Sequence, residues 1–301
     1  MIKIIRNFSI KPYLTMRLDV TADYFFEAGS RDDIIECLKY ARNSDLPVIM
    51  LGGGSNTVFS KHKVKALVIK NNYLEKKIIK TEADKVLISV SSGYPISRLA
   101  YETVKDGLSG LEYFAGLPGT VGGAVYTNAK WTKPFVSVGN FVSEICLIGK
   151  DLKTKKLGSD YFKFSYGYSY LQKTKDIVLE VIFQLKKQSS APLLKKMNDI
   201  IKYRVTTQPA GVKSCGCFFK NISDKDKKNL GLPTASAGYI IDQCGLKNTS
   251  VGGFTISKTH ANYIINNGSG EIKDLLKLVK IVKSKVKDRF GILLKEEVEV
   301  K

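Results

Sequence analysis

An α+β architecture spread over two domains is expected for this chain, on three grounds. Segments of helical and of extended periodicity are mixed, without the regular β-α-β alternation of a doubly wound sheet. The length, 301 residues, is long for a single core and suits two modest ones. Two glycine-dense loops fall in the first half, so one domain contains backbone that must approach something closely.

Ser30 followed by Asp33 makes a capping box, with Asp where Glu is usual, and Ile34, Ile35, Leu38 and Ala41 then repeat at helical spacing. Residues 47–50 read as a buried strand that runs into Leu51-Gly-Gly-Gly-Ser-Asn56. A second strand covers 66–69, Asn71-Asn72 is a turn, and 86–90 is a further strand. Residues 95–106 form a helix with Pro95 in its first turn. The stretch GLSGLEYFAGLPGTVGGAVYTNA, 107–129, follows. Strands come near 142–149 and 177–185, then the polar KKQSSAP at 186–192 as a linker, then a helix over about 193–204. A short helix near 236–243 and strands near 251–256 and 262–266 come after it. In the last helix, 271–290, Ile272, Leu275, Leu276, Val279, Val282, Val286 and Phe290 make one apolar stripe, and Gly291 caps it. A strand at 298–300 ends the pattern.

Apolar content of 44% and charged content of 25% describe an ordinary globular chain. No apolar run approaches the roughly 20 residues of a membrane span. The basic N-terminus lacks the apolar core and cleavage site of a signal peptide, so a cytoplasmic protein without a membrane partner is expected. The net charge of +20 raises nucleic acid as a partner. In KIVKSKVKDRFG, however, the lysines lie on the solvent side of a helix, and no dense Arg/Lys block occurs. No nucleic-acid partner is expected; a small polyanionic ligand drawn by the positive field is.

The five cysteines are an odd number in a large chain, which is not a secreted disulfide framework. Cys37 and Cys146 sit inside apolar patterns and read as core. Cys215 and Cys217 lie one glycine apart in KSCGCFFKN. A metal grip would need more ligands, and His62 and His260 fall in no zinc-finger spacing. A disulfide between them would close a very small, strained ring. Two buried bystanders and one working thiol both remain open on the residues alone.

The loop Gly52-Gly53-Gly54-Ser55-Asn56-Thr57 follows a strand but lacks GxGxxG spacing, a following helix and the Lys-Ser/Thr ending of a P-loop. It is either a tight turn or a phosphate cradle whose backbone is helped by Ser55, Asn56 and Thr57. Gly110, Gly116, Gly119, Gly122 and Gly123 fall within 14 positions. A turn needs one or two glycines, so five suggest backbone pressed against a flat or charged ligand. Together the two loops suggest one large dinucleotide held from two sides.

LGGGSN, GLEYFAGLPGTVGGAVYTNA, SCGCFFKN and LLKEEVEV, in that order, resemble the UDP-N-acetylenolpyruvoylglucosamine reductases, flavoenzymes that complete UDP-N-acetylmuramate in peptidoglycan synthesis. Tyr13–Arg17 resembles their N-terminal threonine-x-arginine stretch, and TTQPAGVKSCGCFFKN and GLKNTSVGGFTISKTHANYIIN resemble their C-terminal domain. The resemblance covers nearly the whole chain and is to the shorter subtype. It implies a two-lobed PCMH-type FAD-binding domain over 1–187, lobes about 1–71 and 72–187, then an α+β UDP-sugar domain over 188–301. It implies non-covalent FAD against Gly52–Thr57 and against Gly116, Pro118, Gly119, Thr120, Gly122 and Gly123. NADPH is the implied co-substrate, the UDP-sugar the implied partner, and a monomer the expected state.

The implied reaction reduces an enolpyruvyl ether to a lactyl ether. Hydride reaches the terminal enol carbon, and charge builds on the carbon bearing the carboxylate, which needs donors around it and an acid. The resemblance places Cys217 where the family carries a serine as that acid. A thiol, with an ordinary pKa of about 8.5, is a stronger acid than a hydroxyl and stays protonated at neutral pH. Cys215 takes an alanine-like position. Glu297 falls at the family's C-terminal glutamate, with Glu296 as its neighbour in case of a slip. Tyr166, Arg204, Lys220 and Asn221 fall at positions that meet the UDP-sugar. Two residues depart from the pattern. Gly167, in FSYGYS, stands where the family has an arginine that stabilises the intermediate, and Lys130 stands where it has a glycine. Gly167 keeps two rival functions in view: a divergent flavin oxidoreductase acting on another sugar, and a flavin- or UDP-sugar-binding paralogue without catalysis.

Overall fold

The computed structural model describes residues 2–301, which divide into two compact units. The first comprises residues 2–7, 23–53 and 65–204; the second comprises 8–22, 54–64 and 205–301.

The first unit contains a largely antiparallel sheet in the order Thr154–Gly158, Val142–Ile148, Ile177–Lys187, Lys85–Ser91, Lys76–Thr81, with the short Leu108–Ser109 also paired to Ile177–Lys187. A second sheet runs Ile5–Ser9, Thr21–Ala28, Lys63–Asn71, Val48–Leu51, its last pair parallel. The strand Val142–Ile148 shows why these segments read as continuous apolar runs. Ile145 and Leu147 enter a core with Val86, Ile88 and Val90 and the helix residues Ile96, Leu99, Ala100 and Val104. Cys146 and Ile148, pointing the other way, enter a separate core with Ile34, Cys37, Leu38, Ala41, Leu67 and Ile69. Period-two alternation therefore feeds two cores from one strand. Burial pushes the Cys37 thiol up to about 12, as suits a cysteine that serves as packing.

The helix Arg31–Asn43 starts as expected. The Asp33 amide donates to Ser30 Oγ at 3.1 Å, and the Ser30 amide donates back to Asp33 Oδ2 at 3.0 Å. The polar stretch 186–192 is not a loop. The strand Ile177–Lys187 runs on into it, and the helix Ser190–Thr207 begins three residues later, with Pro192 tolerated in its first turn. The strands Lys76–Thr81 and Thr154–Gly158 carry no usable hydrophobic pattern, because both lie at the edges of their sheet and are mostly exposed.

The second unit is smaller-featured. Ser250–Val251, Phe254–Ile256 and Ile264–Asn266 form an antiparallel sheet, and Thr57–Val58 pairs in parallel with Glu299–Val300. The helix Ile272–Phe290 buries Ile272, Leu275, Leu278, Val279, Val282 and Val286 and ends at Gly291, whose φ of +69° is the left-handed cap conformation. No helix among the described residues is long and apolar enough to cross a membrane.

Ser30→Ala removes one half of the reciprocal cap. It is expected to lower stability by about 1 kcal/mol in urea unfolding, and to speed hydrogen exchange at the Asp33 amide. An unchanged midpoint would contradict the cap's contribution.

Candidate functional site

Within the first unit the two glycine loops lie against each other. A methyl group on Gly53 would come within 2.7 Å of Gly119 Cα, and one on Gly52 within 2.5 Å of Thr120 Oγ1. The second loop is fixed to the start of the helix Ile96–Lys105. The Ile96 amide donates to the Gly119 carbonyl at 3.2 Å, and the Val121 amide to the Tyr94 carbonyl at 2.8 Å. Thr120 caps the short helix Val121–Tyr126, accepting from the Gly123 amide at 3.4 Å.

The glycines do different things. Gly122 is packing: a Cβ there would meet Ser92 Cβ at 2.9 Å, and its amide already donates to the Ser92 carbonyl at 2.8 Å. Gly116, at φ +73°, gives its amide to Ser97 Oγ at 2.7 Å. Gly54, at φ +63° and assigned to the second unit, is buried, and a side chain there would run into the Tyr13 carbonyl. Among the other loop glycines, Gly52, Gly53, Gly119 and Gly122 are half-buried, and Gly116 and Gly123, with Pro118, are exposed. Bare accessible backbone of this kind fits close approach by a pyrophosphate.

Arg204 lies beside this loop. Its Cδ would be 3.4 Å from a Cβ on Gly116, one guanidinium nitrogen donates to the Tyr113 carbonyl at 3.4 Å, and the guanidinium sits 5.0 Å from the Trp131 ring centroid. Tyr113 is itself held by Lys196, which also reaches the buried Glu112 at 3.0 Å. Trp131 belongs to a two-stranded hairpin, Lys130–Thr132 with Phe135–Ser137, that the sequence pattern did not reveal. The neighbouring Lys130 places its ammonium 4.0 Å from the centroid of the Tyr166 ring. Gly167, next to Tyr166, has φ +59°, the third residue of a tight turn in which Ser165 and Tyr168 exchange backbone hydrogen bonds at 3.0 and 3.2 Å. A type II turn asks for glycine at that position.

In the second unit, the segment 215–220 runs between two others. On one side Cys217 bridges Tyr263, the Phe218 amide donates to the Asn262 carbonyl at 2.8 Å, and the Asn262 side chain bonds both the amide and the carbonyl of Phe219, at 2.9 and 2.8 Å. On the other, Phe219 bridges Glu296, the Glu297 amide donates to the Phe218 carbonyl at 2.8 Å, and the Lys220 amide to the Lys295 carbonyl at 2.9 Å. Cys217 and Glu297 thus sit on adjacent segments near one another. Asn56 ties the other flank, accepting from the Glu299 amide at 2.8 Å, with its Nδ2 donating to the Glu297 carbonyl at 3.4 Å.

The two cysteines of Cys-Gly-Cys differ in setting. Cys215 is buried and its thiol is pushed up to about 12 by that burial, whereas Cys217 is half-buried. Glu296 is engaged by Lys283 at 2.8 Å. Asn221 uses its Oδ1 to accept from the Ala237 amide at 3.1 Å, at the start of the helix Ala237–Gln243. His260, its pKa lowered by burial, packs against Gly238 and accepts at Nδ1 from the Asn262 amide at 3.3 Å, so it orients the residue that holds the Phe218–Phe219 backbone. Among the described residues no group of three or more His, Cys, Asp or Glu is placed to hold a metal ion.

Residues 22–133 match the model of the FAD-binding domain family, and residues 208–301 match that of the UDP-N-acetylenolpyruvoylglucosamine reductase C-terminal domain. The UDP-N-acetylenolpyruvoylglucosamine reductase of Acaryochloris marina is 32% identical over 98% of this chain and 93% of its own length. That of Protochlamydia amoebophila is 34% identical over 97% and 92%. This chain belongs to the UDP-N-acetylenolpyruvoylglucosamine reductase family. The crystal structure of the reductase from Thermus caldophilus superposes with a TM-score of 0.80 at 27% identity, covering 100% of this chain and 98% of that one. The reductase architecture, an FAD-binding PCMH-type domain followed by an α+β C-terminal domain, is therefore present here, as the resemblance implied.

Gly53→Ala sets a methyl group against backbone that cannot move aside cheaply. It is expected to purify with less than half the flavin absorbance per protein of the unaltered chain. Gly158→Ala, at φ −68° with nothing within 4 Å of the new methyl, is expected to retain it. Full flavin content in Gly53→Ala would contradict the packed seam.

Proposed function

We infer that this chain reduces UDP-N-acetylenolpyruvoylglucosamine to UDP-N-acetylmuramate with NADPH and non-covalent FAD, a cytoplasmic step of peptidoglycan precursor synthesis. The observation that carries this reading is kinship along nearly the whole chain to reductases of that name, through both the FAD-binding and the C-terminal domains. The glycine seam supports it from the geometry. The accessible backbone of Gly52, Gly53 and Gly119, flanked by Pro118 and Gly123, takes the FAD pyrophosphate, while Gly54, Gly116, Thr120 and Gly122 hold that backbone in shape. Ser55, Asn56 and Thr57 carry the same loop onward.

FAD, held by the backbone of the glycine seam, would supply the redox chemistry, hydride transfer from NADPH to the enolpyruvyl group. The remaining work falls to the chain's own residues. Cys217 hands a proton to the carbon bearing the carboxylate. Its neighbour Cys215 is packing, in keeping with a thiol that burial holds firmly protonated. Glu297, on the adjoining segment, steadies or helps protonate the same centre. Arg204, Lys220, Asn221 and Tyr166 bind the UDP-sugar. Arg204 is a ready diphosphate donor because stacking on Trp131 orients its planar guanidinium. Asn221 has its side-chain NH2 to offer, its oxygen being given to Ala237.

NADPH oxidation should depend on UDP-N-acetylenolpyruvoylglucosamine. Cys217→Ala should leave flavin reduction by NADPH within about twofold, and slow flavin reoxidation by the enolpyruvyl substrate by about 10²–10⁴-fold, the usual worth of a positioned acid. Cys217→Ser should keep appreciable turnover. Equal slowing of both half-reactions in Cys217→Ala would contradict the proton-donor role, and substrate-independent NADPH oxidation would contradict the reaction itself.

A further inference from the structure

The enolpyruvyl substrate carries a carboxylate, and negative charge spreads onto it as hydride arrives. Such a centre is normally met by a fixed cation, whose removal costs several orders of magnitude in rate. The FSYGYS turn has no cation of its own: it offers Tyr166 and a glycine. The glycine is dictated by the backbone. At φ +59° residue 167 lies in the left-handed region, where an L side chain is strained.

The space beside that glycine is nevertheless taken by a positive charge. A Cβ on Gly167 would lie 3.8 Å from Lys130 Nζ, and the same ammonium stands 4.0 Å from the Tyr166 ring centroid. The arrangement is braced on both sides. Asn128 donates to the Ser165 carbonyl at 2.8 Å and accepts from the Gly139 amide at 3.0 Å. Ser169 Oγ and Gln172 Nε2 both donate to the Tyr126 carbonyl, at 2.8 and 2.9 Å, and Gln172 reaches the Gly167 carbonyl at 3.1 Å. The segment 126–130 and the turn 165–168 are therefore tied together, and Lys130 projects from a paired strand of the hairpin. A lysine on a flexible stem is a poor positioned cation; one held over an aromatic face between two bound segments is a better one.

We propose that the Lys130 ammonium, standing over Tyr166 in the space a side chain at position 167 would enter, meets the enolpyruvyl carboxylate and stabilises the charge that develops on it. The inference rests on the reductase reading above. It also accounts for both departures from the family pattern at once, since glycine at 167 opens the room and lysine at 130 fills it with charge.

The test uses the flavin-loaded protein and two ligands that differ in the carboxylate, UDP-N-acetylmuramate and UDP-N-acetylglucosamine, titrated calorimetrically. Lys130→Met is expected to weaken UDP-N-acetylmuramate about ten- to a hundredfold, the range for a lost charged hydrogen bond, and to leave UDP-N-acetylglucosamine within about twofold. In the same variant, flavin reduction by NADPH stays unchanged and reoxidation by the enolpyruvyl substrate slows at least about a hundredfold. Lys130→Arg restores most of both losses. Lys175→Met, which removes another lysine near this region, 3.0 Å from the Tyr126 hydroxyl, behaves as the unaltered protein. The proposal is overturned if Lys130→Met weakens both ligands alike or neither, or if the carboxylate-selective loss appears in Lys175→Met instead. Failure of the unaltered protein to turn over the enolpyruvyl substrate would remove the functional reading itself, whereas normal turnover by Lys130→Met would remove only the role of Lys130.

Discussion

Gly53 against Gly119 is the contact on which the flavin half of this molecule depends. Two loops distant in sequence meet backbone to backbone, at a separation that excludes even a methyl group. Everything that makes the surface usable follows from it. Strand Val48–Leu51 delivers the first loop, the bonds from Ile96 and Val121 pin the second, and Thr120 turns the chain into a short helix. Close packing of this kind tolerates no loose substitute, because interiors are as dense as organic crystals and backbone cannot swing aside as a side chain can. Gly53 and Gly119 therefore let backbone meet backbone where any side chain would hold the loops apart.

The second unit solves a different problem, which is to hold the segment around Cys217 still by isolated bridges. Segment 215–220 is gripped by Asn262 on one flank and by residues 295–297 on the other, and Asn262 is in turn oriented by the buried ring of His260. Consecutive buried rings, Phe218 and Phe219, anchor the segment, so the residue before them is fixed in position while remaining half-buried. The chain reaches this unit early as well as late, for the loop that begins with Gly52 and Gly53 in the first unit continues as Ser55–Thr57 in the second.

Local chemistry was the most legible part of the sequence. The Ser30–Asp33 box, the stripe of the last helix and its Gly291 cap are each decided within a few residues, and the structure has the box and the cap as read; in the stripe Leu276 is exposed and Leu278 is buried instead. Edge strands were not legible, because Lys76–Thr81 is exposed along its length and offers no alternation to detect. The linker read from KKQSSAP is replaced by structure, because polar residues at the end of a central strand and in a first helical turn look like loop. At the site, glycine clusters announced close approach but not what each glycine meets: a side chain on Gly54 would run into Tyr13 and one on Gly122 into Ser92. The meeting of Lys130 with Tyr166 and Gly167 joins segments far apart along the chain, and only folding brings the three together.

The function proposed above asks two things of the chain, that backbone of the glycine seam take the flavin and that the thiol of Cys217 act as the acid. The most direct measurement is a crystal structure of the flavin-loaded protein with UDP-N-acetylmuramate bound. The account predicts Cys217 Sγ at about 3–3.5 Å from the lactyl carbon that bears the carboxylate, on the face opposite the flavin. A sulfur turned away from that carbon, with another acid in its place, would contradict it.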